Sequence, residues 1–273
     1  MITWKHQPED AFVSRYIECY WFLRKDKDDI AHDSPKLNPC PEAHLIIAPP
    51  EQSYTYSLCK RALSGKGTHL KLPNTSSMTL HQAEPFAILG VKFKPGALYS
   101  IANGFAAIDD VISPPGFLAE MPDLLREDVL NNAADDAVTV GQNLDAWFKA
   151  HSHCIREDRH SRLARDALTL LATTKASELE TGLYRSLRAV QRAFVRVTGL
   201  TPKQYQIMVR LDELLLYLYQ QNTESMSWAD VAAIFGFTDQ PHLIRYFKKL
   251  IGDTPHAYRQ AKNLTIDAYG DFE

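Results

Sequence analysis

Residues 228–259, WADVAAIFGFTDQPHLIRYFKKLIGDTPHAYR, contain the patterns of two short helices separated by a turn. Leu243, Phe247 and Leu250 recur at positions i, i+4 and i+7, so they share one face of the second helix. A turn that ends in the capping residue Asp239 precedes this helix. The sequence therefore predicts a helix-turn-helix unit.

A diverged copy of this unit lies upstream, where Val190, Phe194 and Val197 repeat the same apolar spacing. A glycine that can end the helix in a left-handed turn follows in both copies, and a Thr-Pro pair comes next: Gly199 with Thr201-Pro202, and Gly252 with Thr254-Pro255. Thr201-Pro202 is predicted to cap a long helix that runs to about Gln220. The chain thus contains two similar units joined by a long helix.

The second unit resembles the DNA-binding domain of the AraC family of bacterial regulators, whose pattern is an apolar-x-D-I-A helix, a G-F turn and an F-x-R-x-F-K recognition helix. The residues that carry this resemblance are Trp228-Ala229-Asp230-Val231-Ala232, Gly236-Phe237-Thr238-Asp239, Leu243-Ile244-Arg245-Tyr246-Phe247-Lys248, Gly252-Asp253-Thr254-Pro255 and Tyr258-Arg259. The first unit matches in residues 186–194 and 199–202 and in Tyr205. The resemblance covers about residues 160–262, and it implies a sequence-specific DNA-binding transcription regulator.

Three residues depart from the family's pattern. Glu180 and Tyr184 stand where the family prefers Ala and Gly, which predicts a distorted second helix in the first unit. Pro241 stands where the family usually has a polar residue. Proline fits the first turn of a helix capped by Asp239, although it removes a side chain that would read bases.

The resemblance and the helical spacing together give the predicted DNA contacts. They are Ser186, Arg188, Gln191 and Arg192 on the first recognition helix, and Gln240, His242, Arg245, Lys248 and Lys249 on the second. Gln240, His242 and Arg245 are predicted to be the equivalents of Arg188, Gln191 and Arg192. Arginine can pair with guanine and glutamine with adenine, while the lysines are placed for phosphates. The alternatives are a solvated helix face and, for Arg245, an internal ion pair with Asp230 or Asp239. If the long helix is rigid, the two units enter successive major grooves about 34 Å apart.

The amino-terminal part has five segments with strand patterns, separated by Pro, Gly, Asn and Ser clusters: residues 12–23, 43–48, 54–58, 69–72 and 87–93. Residues 16–22 and 90–97 resemble the sensor domain of one AraC subgroup, which implies a cupin-like fold. We expect an α+β protein, with an amino-terminal cupin-like β-barrel or sandwich and flanking helices, followed by an all-α domain with two helix-turn-helix units joined by a long helix. Tyr16, Tyr20 and Trp21 are expected in the core, with an apolar effector pocket as the alternative.

The domain boundaries follow from the change between strand and helix patterns. Val140, Leu144, Trp147 and Phe148 share one helical face, which we expect to pack within its own domain rather than to dimerise. The predicted regions are a β-rich sensor or dimerisation domain at 1–150 with a helical segment at about 117–150, a linker at 151–160, a seven-helix DNA-binding domain at 161–262 and an acidic tail at 263–273.

The charge is unevenly distributed along the chain, whose net charge is -3. Residues 156–262 contain 16 Lys and Arg against 11 Asp and Glu, whereas residues 1–155 contain 14 against 19. Only the second part favours a polyanion. The composition, with 45% hydrophobic and 23% charged residues, is typical of a globular protein and excludes a mostly disordered chain.

The remaining patterns limit the other classes of function. Cys19, Cys40, Cys59 and Cys154 form no C-x-x-C pair, and the longest apolar run, residues 45–50, is too short for a membrane span. We expect a cytoplasmic protein with reduced thiols, without catalytic residues, a metal or another cofactor. The expected partners are double-stranded DNA, a small-molecule effector, RNA polymerase and a second copy of the chain, and no membrane. The alternatives are a cupin-type enzyme with a helical assembly module and a regulator that works through protein contacts alone.

Overall fold

The computed structural model describes residues 1–27, 34–58, 61–121, 129–131, 133–221 and 227–269. The strands within these residues belong to the amino-terminal part: β1 Ile2–His6, β2 Ile17–Lys25, β3 Lys36–Leu37, β4 His44–Ile47, β5 Ser53–Leu58, β6 Arg61–Lys66, β7 His69–Lys71, β8 Met78–Gln82, β9 Phe86–Phe93 and β10 Val111–Ile112. The five predicted strands are confirmed, and four of them match to within one residue at each end. The first begins at Ile17 rather than at Phe12, since Val13–Arg15 forms a 3-10 turn, and it ends at Lys25 rather than at Leu23.

The strands form two antiparallel sheets, in the orders β1-β2-β9-β4-β7-β10 and β3-β8-β5-β6. The sheets pack against each other where the His69 ring of β7 stacks on Tyr54 of β5, with ring centroids 3.6 Å apart. The architecture is therefore sandwich-like, and the sandwich is one of the two forms, barrel or sandwich, that the sequence predicts. The strands β1, β3, β6, β8 and β10 were not predicted, because each contains no more than two apolar residues.

Strand β2 is buried on both of its faces. Tyr20 and Phe22 belong to the main core, whereas Cys19 and Trp21 belong to a separate cluster on the opposite face. The indole of Trp21 lies over Gly90 of β9, where a Cβ atom would approach the ring to 1.9 Å. Both Tyr20 and Trp21 are thus core residues, as expected.

The helices are α1 Ala97–Ile101, α2 Ala137–Ala150, α3 Arg159–Leu171, α4 Leu179–Leu183, α5 Leu187–Thr198, α6 Pro202–Gln220, α7 Trp228–Ile234, α8 Gln240–Ile251, α9 Pro255–Ala261 and α10 Thr265–Tyr269. Helix α2 packs on the sandwich through the predicted apolar face, and Val140 and Leu144 are buried in the main core. On the same helix, Asp145 accepts a 2.6 Å hydrogen bond from the Tyr20 hydroxyl. The face serves the local core.

Helices α3 to α9 are the seven helices that the sequence predicts for the carboxy-terminal part. The predicted linker ends earlier than expected, because Asp158 caps α3 and the helix begins at Arg159. The predicted acidic tail is corrected in its first half. Leu264 is fully buried, α10 follows it, and Asn263 O accepts a 2.7 Å hydrogen bond from Lys36 N of β3.

Candidate nucleic-acid interface

Helix α5 is the recognition helix of the first unit. The Ser186 hydroxyl caps it by accepting a hydrogen bond from Ala189 N, and Val190 and Phe194 are completely buried. The polar residues predicted for DNA contact lie on the other face, where Arg188, Gln191 and Arg192 are exposed. The structure therefore brings the four predicted residues of this unit to one solvent-facing helix.

Helix α8 is the recognition helix of the second unit, with Leu243 and Phe247 fully buried. The Asp239 carboxylate caps it by accepting a 2.7 Å hydrogen bond from His242 N, and Pro241 fits the first turn as expected. The exposed predicted residues are Gln240, Arg245, Lys248 and Lys249. His242 is half-buried, and its ring packs edge-on against Phe237 with centroids 5.3 Å apart. Of the five predicted residues, His242 is thus the least accessible to DNA.

Counting from the two caps, Ser186 and Asp239, aligns the two recognition helices residue by residue. Arg245 then corresponds to Arg192. Gln240 and His242 correspond to Leu187 and Ala189, so the prediction that they are equivalents of Arg188 and Gln191 is wrong. The positions that correspond to Arg188 and Gln191 are Pro241 and Ile244. The two helices therefore offer different sets of base-reading side chains.

The internal ion pair considered for Arg245 is not formed with any carboxylate in the described ranges. Asp239 instead serves the backbone of α8 as a helix cap. Arg188 and Arg192 likewise have no carboxylate partner within 4.0 Å among the described residues. These three guanidinium groups remain available to an external anion.

Helix α6 fixes the first unit through specific polar contacts. Its Thr201-Pro202 start forms the predicted cap, with Gln204 completing a capping box. Further along, Gln206 accepts a 2.9 Å hydrogen bond from Ala176 N and donates one of 2.7 Å to Thr174 O. These contacts tie α6 to the segment that joins α3 and α4.

The second unit is tied to α6 through Arg210 and Tyr246. Arg210 donates to the carbonyl of Phe235, and its guanidinium lies 3.8 Å from the centroid of the Phe237 ring. From α8, the Tyr246 hydroxyl donates to the carbonyl of Ile207. The long helix α6 therefore contacts each of the two units through a different set of its residues.

The sandwich contacts the ends of both recognition helices at equivalent positions. A loop at residues 94–97 reaches α5, where a Cβ on Gly96 would lie 2.8 Å from Val197 Cγ1 and 3.3 Å from Thr198 Cγ2. A second loop reaches α8, where Ser77 N and Oγ donate to the carbonyls of Leu250 and Ile251 at 3.2 and 2.9 Å. We call residues 94–97 and 76–77 the two docking loops. In the alignment from the caps, Val197 corresponds to Leu250 and Thr198 to Ile251.

Charged contacts accompany both docking loops. The Tyr99 hydroxyl accepts a 3.0 Å hydrogen bond from Arg196 Nε of α5 and donates one of 3.0 Å to Asp158. Lys36 pairs with Asp253, just after α8, at 2.5 Å. No sequence pattern predicts these contacts, since the paired residues lie 59 to 217 positions apart.

Two clefts lie between the sandwich and the helical part. One of about 440 Å³ is bounded by Lys5, Lys92 and Cys40 on the sandwich and by Tyr205 and Asp212 on α6. The second, of about 490 Å³, shares Tyr205 with the first and is also lined by Arg15, Tyr16, Arg165 and Val197. The three aromatic residues considered for a pocket, Tyr16, Tyr20 and Trp21, are all core residues, as expected, and Tyr16 also lines the second cleft.

The thiols and histidines give no sign of a metal centre in the part of the chain that the structure describes, where no three His, Cys, Asp or Glu are grouped to hold an ion. Cys19, Cys40 and Cys154 are not in disulfides, and Cys59 lies outside the described residues. No described helix is long and apolar enough to cross a membrane.

Comparisons with known proteins agree with this geometry. Residues 181–261 match a family model described as a helix-turn-helix domain, and residues 5–107 match one described as a domain of unknown function (DUF6597). The uncharacterized HTH-type transcriptional regulator YidL of Escherichia coli (strain K12) is 40% identical over 68 residues, which are 25% of this chain and 22% of that relative. The bifunctional transcriptional activator/DNA repair enzyme AdaA of Bacillus subtilis (strain 168) is 32% identical over 75 residues, 28% of this chain and 34% of that relative.

Among solved structures, ToxT from Vibrio cholerae aligns over 97% of this chain and 100% of its own, with 10% identity and a TM-score of 0.48. The chain covers less than two thirds of either curated relative. The fold contains two helix-turn-helix units joined by a long helix, with exposed basic residues on the second helix of each unit. By the family model that it matches, the chain contains a helix-turn-helix domain at residues 181–261.

Proposed function

We propose that the whole protein is a sequence-specific DNA-binding transcription regulator of the AraC type, and that its sandwich responds to a small-molecule effector. The observation that carries the proposal is the exposure of Arg188, Arg192 and Arg245 on two recognition helices that α6 connects. These arginines have no described carboxylate partner, so binding to DNA does not first require an ion pair to break.

The predicted contacts divide into two groups by their chemistry. Arg188, Gln191, Arg192 and Arg245 lie in the first two turns of their helices, the part that reaches base edges in a major groove. The remaining charged residues, Lys248 and Lys249, lie in the last turn of α8, where phosphates are the nearer partners. We therefore assign base reading to the first group and phosphate binding to the second.

The two docking loops support control by the sandwich. They touch the carboxy-terminal ends of α5 and α8 and leave the exposed arginines uncovered. A ligand in the cleft of about 440 Å³ would contact the sandwich and α6 together. Its binding would therefore change how the two helix-turn-helix units are placed relative to each other, and it would not cover their recognition helices.

The test uses the full-length protein and a fluorescent duplex that it selects from a random-sequence pool. We expect tighter binding to this duplex than to a shuffled one, with affinity that falls steeply as salt rises. Binding that is weak, equal for both duplexes and insensitive to salt would reject the proposal.

A parallel screen for turnover tests the enzyme alternative. RNA polymerase, a second copy of the chain and a cytoplasmic location remain part of the proposal, tested by co-purification, light scattering and fractionation.

A further inference from the structure

Tyr184 has a backbone conformation that its residue type disfavours. It lies in the turn between α4 and α5, with φ at 50° and ψ at 38°, in the left-handed region. The corresponding turn of the second unit uses Gly236, with φ at 63°. A Cβ atom makes this region unfavourable, so folding alone favours glycine at both turns.

The side chain of Tyr184 makes no contact that would offset this backbone cost in the folded protein. It is 92% exposed, more than the other large hydrophobic residues on the described surface. It forms no hydrogen bond, ion pair or ring contact with any described residue. The tyrosine therefore stabilises neither the turn nor the packing of α4 against α5, although a glycine would remove the backbone cost.

The position of Tyr184 places it beside the proposed DNA contacts. It precedes the cap of α5, Ser186, by two residues, and its neighbours Arg185 and Arg188 are both exposed. The amino-terminal end of a recognition helix enters the major groove, so a residue just before the cap lies at the edge of the groove, beside the sugar-phosphate backbone. A phenol hydroxyl is a common donor to phosphate oxygens in such positions.

We propose that Tyr184 is a phosphate-binding residue of the first unit, and that its hydroxyl donates a hydrogen bond to a backbone phosphate of the bound duplex. This inference rests on the proposed DNA-binding function and adds a contact that fixes the entry of α5 into the groove. The second unit has no equivalent, because its turn carries Gly236. The two units are thereby unequal in how they hold DNA.

The test compares Tyr184→Phe and Tyr184→Gly with the wild-type protein on the selected and the shuffled duplex, by fluorescence anisotropy at several salt concentrations. Tyr219→Phe is the matched control, since Tyr219 is also exposed but lies at the end of α6. Loss of one hydrogen bond to a charged phosphate should weaken binding about tenfold. Because the contact is to backbone, the factor should be equal for both duplexes, and because the phenol is neutral, the salt dependence should not change.

The outcomes separate this inference from the proposed function. Both variants should bind about tenfold more weakly, with the control unchanged and with a melting temperature of Tyr184→Gly at or above that of the wild type. Variants that bind like the wild type overturn the role of Tyr184 while DNA binding stands. A melting temperature that falls in Tyr184→Gly shows a structural role and also overturns it. Absence of DNA binding in the wild type rejects the proposed function itself.

Discussion

The Tyr99 hydroxyl of α1 accepts a 3.0 Å hydrogen bond from Arg196 of recognition helix α5. The same hydroxyl donates to Asp158, whose carboxylate caps α3. One side chain of the sandwich thus joins two helices of the first unit. Since Arg196 lies in the last turn of α5, this contact restrains the helix without covering the exposed residues at its other end.

Tyr99→Phe removes both hydrogen bonds while keeping the buried ring. We expect the melting temperature to fall by roughly 2–4 °C and hydrogen exchange to rise in the last turn of α5. Arg196→Ala should raise exchange at the same amides. The matched control is Arg192→Ala, on the same helix but without a described partner, which should lower DNA affinity and leave exchange unchanged. Equal exchange in all variants would show that the Tyr99 contact does not hold the sandwich to α5.

Arg245 and Lys248 lie three residues apart on α8, yet their substitution by alanine is expected to change DNA binding in different ways. Arg245→Ala should reduce the preference for the selected over the shuffled duplex, at a cost of about 1–3 kcal/mol on the selected one. Lys248→Ala should weaken both duplexes alike and lower the slope of log affinity against log salt by about 1. Anisotropy titrations on both duplexes measure these quantities. The assignment of base and phosphate contacts is rejected if the two variants behave identically.

The features of the fold that could be predicted are those set by residues close together in the sequence. Val190 and Phe194 are buried on α5, and Gly199 ends that helix in the left-handed conformation, because apolar spacing and capping act within one or two turns. Contacts between distant residues could not be predicted. Ser77 and Ile251 meet only because the sandwich and α8 are placed side by side, and neither residue carries a pattern of its own.

The sequence predicts which arginines of the candidate site are exposed, but it does not predict how the residues of the two recognition helices correspond. The exposure of Arg188 and Arg245 follows from the positions of the buried residues on their helices. The predicted equivalence of Gln240 and His242 to Arg188 and Gln191 was wrong, because their distances from the cap Asp239 match those of Leu187 and Ala189 from the cap Ser186. His242 is also held by an edge contact with Phe237, which depends on the fold of the turn.

His69 is predicted to make the stability of the sandwich depend on pH. Its Nδ1 lies 2.8 Å from Gly67 O, so it carries the proton, and its Nε2 accepts a hydrogen bond from Tyr56 across the sheets. Burial lowers the pKa of His69 to about 4, from 6.5 for a free histidine. The unfolded chain therefore binds the proton first, and the stabilisation present above pH 6.5 is lost as pH falls towards 4.

The expected loss is about 2 kcal/mol between pH 7.5 and pH 5. Urea unfolding at the two pH values measures it, and His69→Gln is the comparison, since glutamine does not titrate. The variant should be less stable than the wild type at pH 7.5 and should lose less stability on acidification. If both proteins lose the same amount, His69 is not responsible for the pH dependence.

Gly96 and Gly252 provide a matched pair for testing the docking loop against α5. Both have left-handed backbones, with φ at 76° and 86°, so alanine introduces a similar strain of about 1 kcal/mol at either position. A Cβ at 252 would meet nothing within 4 Å, whereas one at 96 would lie 2.8 Å from Val197 Cγ1. Gly96→Ala should therefore cost about 1–3 kcal/mol more than Gly252→Ala, because the loop and α5 must separate.

The Val197→Ala background identifies the origin of that extra cost. This substitution removes the Cγ1 atom that a Cβ at 96 would meet at 2.8 Å and leaves Thr198 Cγ2 at 3.3 Å, so the penalty of Gly96→Ala measured in it should fall most of the way towards that of Gly252→Ala. Chemical unfolding of the four variants gives the coupling energy. A penalty at 96 that is no larger than at 252, or that Val197→Ala leaves unchanged, would mean that the loop and α5 are not in tight contact. Rescue would establish that the sandwich rests directly on the first recognition helix.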